Sequence, residues 1–206
     1  IYYLGNTCLG INGLFTEVLQ VLSFAELGFG TALNFSMYKP VAEKDEQKII
    51  KLLCYYKQVY RVVALIISVV GIALIPFLQY LVKSAEGVSI SEIRLYYVFF
   101  LVNTVVGYFV SYKFSLVNAE QKNYITTNFE FVCNLVTIVA QIIIVMCFRN
   151  YLLYLITHTV CLVASRFVLS IYLNKKFPLL KKKCIEQLSE EEKKPITWEI
   201  ADPKPP

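Results

Sequence analysis

The run Val62–Val82, VVALIISVVGIALIPFLQYLV, carries no charged side chain along its whole length. At 1.5 Å of rise per residue, about 20 predominantly apolar residues cross the ~30 Å hydrocarbon core of a bilayer. A core helix of a soluble domain is shorter and keeps a polar face. Equivalent uncharged runs recur at Leu95–Tyr112 and Phe131–Phe148; Asn150–Asn174 is broken only by Arg166, and Ile11–Tyr38 only by Glu17 and Glu26. These runs predict an all-α, polytopic transmembrane bundle with five spans at about 11–38, 59–82, 94–115, 126–148 and 150–174. Composition agrees, with 57% hydrophobic and 17% charged residues and a mean hydropathy of +0.56. Soluble domains carry about 25% charged residues, so that class is excluded.

Orientation follows from Lys and Arg beside the spans, because short basic loops stay on the cytoplasmic side. Residues 39–61 hold Lys39, Lys44, Lys48, Lys51, Lys57 and Arg61, whereas residues 1–11 hold no basic side chain. The far end of the first span is therefore expected inside. Alternation then puts 83–94 outside, 113–122 inside, the Arg149-Asn150 hairpin outside and the basic tail from Lys175 inside. An outside N-terminal end implies a preceding span, so the sequence is expected to be a fragment.

Pro40 lacks an N–H donor and is expected to end the first helix at the interface. Residues 41–58 place Ile49, Ile50, Leu52, Leu53 and Tyr56 at near-helical spacing among charges, which suits an amphipathic helix lying under the membrane. Pro76 marks a kink or a tolerated break in the second span. Residues 175–206 read as a basic, then mixed-charge cytoplasmic tail, flexible over 195–206 where PITWEIADPKPP is punctuated by proline. Tyrosine clusters, including Tyr55-Tyr56, Tyr96-Tyr97 and Tyr151-Tyr154, fall where aromatic belts anchor spans. The six cysteines show no metal-ligand or CxxC spacing and are assigned no redox or metal role.

Polar residues within the spans are the candidate site, because lipid does not reward them. Glu26 lies mid-span, with Asn12 and Gly30 each about 40° away around the helix at roughly 100° per residue. Asn34 lies on the same span. Glu130, Asn134, Thr137 and Gln141 follow i, i+4, i+7, i+11 and share one stripe. Thr104, Tyr108, Ser111 and Ser115 repeat the device, and Thr159, Arg166 and Ser170 share a third face. Two readings stand for each stripe: hydrogen bonding between helices, or the wall of a wet cavity. Arg166 suits an oxyanion through its planar donor fork, or a salt bridge to Glu26 or Glu130. His158, the single histidine, is expected to be a packed hydrogen-bonding residue. The cavity candidates are thus Glu26, Asn34, Tyr108, Glu130, Asn134, Thr137, Gln141 and Arg166. No Gly-rich phosphate loop, nucleophile elbow or HExxH motif is present, so no enzyme activity, no cofactor and no nucleic-acid partner are expected.

Several short signatures carry a resemblance: YLG at Tyr3–Gly5, LGINGLF at Leu9–Phe15, AELGFGTA at Ala25–Ala32, YKPVAEKDE at Tyr38–Glu46 and YKFSLVNAEQKNYI at Tyr112–Ile125. In this order, and over nearly all of residues 1–183, the chain resembles bacterial polysaccharide flippases. These are the Wzx-like lipid-linked oligosaccharide exporters of the multidrug/oligosaccharidyl-lipid/polysaccharide superfamily. The resemblance implies a MATE-like fold of twelve to fourteen helices in two bundles around a central cavity, of which this chain would supply spans two to six. It departs from the pattern where the family continues into a second bundle and this sequence reads PITWEIADPKPP. It further implies an undecaprenyl-pyrophosphate-linked oligosaccharide as substrate and the bacterial cytoplasmic membrane as location. Membrane lipids and a polysaccharide polymerase or other envelope assembly proteins are the implied partners. Coupling to H+ or Na+ would fall to Glu26, and pyrophosphate neutralisation to Arg166. The alternatives are a MATE-type small-molecule exporter and a non-transporting membrane scaffold.

Overall fold

The computed structural model describes residues 5–82 and 88–182, without the side chains of 5–7, 22–29 and 81. Every described regular element is helical: α1 (Gly5–Glu43), α2 (Glu46–Leu74), a 3-10 turn (Ile75–Phe77), α3 (Leu78–Leu81), α4 (Ile90–Ala119), α5 (Asn123–Phe148), α6 (Tyr151–Lys176) and a second 3-10 turn (Pro178–Lys181). Among the described residues four segments are long and apolar enough to cross a membrane: Glu46–Tyr80, Ile90–Ala119, Asn123–Phe148 and Tyr151–Lys176. The fifth expected span lies within α1, of which Cys8–Val21 is a shorter apolar stretch. Pro76 does break its helix, as the 3-10 turn before α3.

The central element is α4, which packs against α1, α2 and α6, while α5 packs chiefly on α6 at the edge. Phe15 of α1, fully buried, meets Tyr97 and Phe100 of α4 edge-on at 5.3 and 5.7 Å between ring centroids. Gly71 of α2 lets α4 come close: a Cβ there would lie 2.4 Å from Leu101 Cδ1. Small residues permit such approaches between membrane helices. Tyr96 and Tyr151 are likewise buried, ring to ring at 4.8 Å, so these tyrosines of the expected aromatic belt turn into the bundle instead of toward lipid.

Three boundaries differ from the sequence reading. Pro40 sits inside α1, which runs on to Glu43. The helix ends at Lys44, in the left-handed region at φ 56°, where Lys44 N–H donates to Val41 O and Asp45 N–H to Pro40 O. That is a Schellman motif, so the missing Pro N–H costs one bond without stopping the helix. Residues 46–58 are the first turns of α2 and not a separate surface helix. Their apolar face, Ile49, Leu52, Leu53 and Tyr56, is covered by protein, and Tyr56 Oη lies 2.6 Å from Ser36 Oγ on α1. The loop expected at 113–122 shrinks to Glu120–Lys122, because α4 continues to Ala119 with Leu116 and Val117 fully buried. A second Schellman motif closes it at Gln121, φ 56°, through Gln121 N–H to Asn118 O and Lys122 N–H to Val117 O.

The expected basic tail begins as structure: Phe177 is buried, the turn Pro178–Lys181 lies against α2, and Lys182 pairs with Glu46 at 2.6 Å. Lys122 Nζ stands 5.4 Å above the Phe177 ring. The α1–α2 turn, the α4–α5 turn and the end of α6 therefore meet at one lysine-rich end. The rest of the tail, 183–206, lies outside the described residues. Four cysteines, Cys8, Cys133, Cys147 and Cys161, carry free thiols, whereas Cys54 is disulfide-bonded, against the expectation of no redox chemistry.

Candidate functional site

Two cavities meet at His158. The larger, about 540 Å³, lies between α1, α4 and α6 and is lined by Asn12, Thr16, Leu19, Gln20, Phe100, Asn103, Thr104, Tyr154, Leu155, His158 and Leu162. The smaller, about 90 Å³, lies between α5 and α6 beside Glu130, Cys133, Asn134, Thr137, His158, Ser165 and Arg166. Asn103 Nδ2 is 3.1 Å from His158 Nδ1. With the amide donating, Nδ1 accepts and the ring proton sits on Nε2. Asn103 Oδ1 is buried and has no hydrogen-bond partner among the described residues.

Glu130 and Arg166 form an ion pair across α5 and α6, one of the two pairings expected for Arg166. The guanidinium also lies 5.9 Å from the Phe114 ring centroid on α4, tying three helices together. Asn134 and Thr137 share the small cavity with the pair. The other expected candidates are dispersed. Asn34 is half-buried on α1, with Oδ1 lacking a partner among the described residues. Tyr108 is buried in α4 away from both cavities, and Gln141 is buried on α5 without lining either. Glu26 falls within α1, but its side chain lies outside the described residues, as does any pairing with Arg166.

Three hydroxyl residues of the stripes satisfy themselves, whereas Thr159 Oγ1 is buried without a partner among the described residues. Thr104, Ser111 and Thr137 donate to the carbonyls four residues earlier, Phe100, Gly107 and Cys133, at 2.8–3.1 Å. Such back-bonding removes the donor and lets a hydroxyl sit in a span at little cost. Amide, imidazole and guanidinium groups have no such option within their own turn. Their placement is therefore the more informative, and it selects Asn103–His158 and Glu130–Arg166.

Lys113 is a polar feature that the sequence reading left in a loop. It is 3% exposed, and its ammonium donates to Ser170 O at 3.2 Å, Ser170 Oγ at 2.6 Å and Asn174 Oδ1 at 2.8 Å on α6. No carboxylate joins it among the described residues. Asn103, Thr16 and Gln20 were also missed; they stand in apolar surroundings, and only the crossing of α1, α4 and α6 brings them together.

No family model, no curated protein and no solved structure matches this chain. The helices themselves define its class, an all-α multi-pass membrane bundle.

Proposed function

We propose that this chain forms part of a transporter that moves a lipid-linked oligosaccharide across the bacterial cytoplasmic membrane by alternating access. The larger cavity carries this reading. Asn12, Thr16, Gln20, Asn103 and His158 line it inside helices whose outward faces are apolar. Such a cavity spares a polar head group the hydrocarbon while its polyprenyl tail stays in lipid. Arg166 reaches a pyrophosphate by exchanging Glu130 for it, since a guanidinium fork binds either oxyanion. Rocking of one helix group against another would expose the cavity to each side in turn. A polysaccharide polymerase or another envelope assembly protein is the partner this role implies.

One observation favours a second reading. The cavity is lined by neutral groups with Phe100 and Tyr154, and Glu130 already neutralises Arg166, which also suits a small apolar molecule in a MATE-type exporter. Reconstitution in vesicles tests both. A fluorescent polyprenyl-pyrophosphate oligosaccharide should change leaflet with the wild-type chain, and more slowly with Asn103→Leu and His158→Leu. Movement of a small aromatic dye but not of the oligosaccharide would favour the exporter. If neither moves, a scaffold role replaces transport.

A further inference from the structure

We propose that the lysine-rich end holds a docking pocket for the phosphate of an anionic phospholipid, separate from the two interior cavities. A third cavity of about 260 Å³ lies between α2, α4 and the turn Pro178–Lys181. Among the described residues its lining includes Lys57, Lys181 and Lys182 and no acidic residue. Lys57 and Lys181 have no carboxylate partner among the described residues, while Lys182 is held by Glu46 at 2.6 Å. Lys57 and Lys113 stand 5.8 and 5.7 Å from the centroid of the same ring, Tyr112, and of the two Lys57 lines the pocket. An arrangement this rich in positive charge, with one carboxylate at its edge, is completed by an anion.

Depth identifies the source of that anion. Lys57 precedes the uncharged run that starts at Val62 by five residues, about 8 Å of helix, and α6 ends nearby in Lys175 and Lys176. The pocket therefore stands where apolar spans give way to head groups, the level of lipid phosphates. Leu53, Tyr112 and Leu180 are among its apolar lining. At that level the phosphate of a lipid head group is the anion within reach of the lysines.

The test uses the purified chain in micelles containing equal phosphatidylglycerol and phosphatidylcholine, with the retained lipid quantified by mass spectrometry. Wild type should retain phosphatidylglycerol preferentially. Lys57→Gln/Lys181→Gln should cut that retention roughly 25-fold, since each lysine near an anionic surface contributes about a factor of five. Both residues are exposed, so the double variant should fold. Glu46→Gln, which releases Lys182, should raise retention by up to about fivefold, whereas Glu43→Gln adds the same charge away from the pocket and should change nothing. An equal loss from Lys39→Gln/Lys175→Gln, exposed lysines that do not line the pocket, would overturn the proposal in favour of general basicity. Inorganic phosphate is then added to lipid-free protein. If it raises the melting temperature of wild type but not of Lys57→Gln/Lys181→Gln, and phosphatidylglycerol is not preferred, the lipid source is overturned.

Discussion

The ammonium of Lys113 on α4 is held 2.8 Å from Asn174 Oδ1 on α6, and every acceptor it reaches is neutral. A buried cation so placed holds two helices in register, because sliding either one strands the charge. Removing an acceptor should therefore hurt more than removing the charge. Asn174→Leu leaves the ammonium with fewer partners, while Lys113→Met keeps the stem and leaves only neutral groups unpaired. The first should cost about 1–2 kcal/mol more than the second. Unfolding in detergent measures both, and a larger loss for Lys113→Met would contradict the assignment.

Glu130 and Arg166 join α5, the edge helix, to α6, and both are partly exposed. Glu130→Gln and Arg166→Gln should each lower stability by about 1–2 kcal/mol, within the range for charge-assisted bonds and for polar contacts between membrane helices. The exchanged pair Glu130→Arg/Arg166→Glu should recover most of the loss. Failure of the exchange to recover stability would mean that each charge has its own separate partner.

Gly71 and Leu101 set the spacing of α2 and α4. A Cβ at Gly71 meets the Leu101 methyls, the far end of a movable side chain, so Gly71→Ala should be tolerated better than Gly71→Val. Valine should cost about 1–3 kcal/mol through overpacking. Leu101→Ala in the same chain should restore part of this; each melting temperature gives the comparison, and additive losses would refute the contact.

The helical class and the approximate spans were legible because they depend on hydrophobic length, which the sequence displays residue by residue. The Arg149-Asn150 hairpin was legible too: Arg149 adopts φ 48° and Asn150 Oδ1 accepts from Leu152 N–H at 2.8 Å, starting α6 at once. The helix end at Pro40 was misread because a local backbone motif carries the helix past the proline, and the one at Lys113 because its continuation depends on tertiary partners. The Schellman turn after Glu43 accommodates the proline, and three acceptors on α6 let a lysine stay in a buried helix. The stripe Glu130, Asn134, Thr137 was found by periodicity, and the Glu130–Arg166 pair was one of two salt bridges expected of an arginine inside a span. Asn103 with His158 was not found, since a single amide on an apolar helix has no period, and its meaning depends on a residue 55 positions away.

The two ends of α4 should respond to substitution in opposite directions. At its start, Ser89 Oγ accepts from Glu92 N–H at 3.3 Å and Glu92 Oε2 from Ser89 N–H at 3.0 Å, a complete capping box. Ser89→Ala removes one half of it and should cost about 1 kcal/mol. At its end, Gln121 holds a left-handed conformation at φ 56°, where a side chain is penalised and glycine is not. Gln121→Gly should therefore stabilise by up to about 1 kcal/mol, the relief exceeding the entropy that glycine adds to the unfolded chain. Melting temperatures of the two single variants and of the double should show one fall, one rise and a near-additive sum, because the sites stand a whole helix apart. A fall with Gln121→Gly would mean that its side chain, and not its backbone, holds the α4–α5 turn.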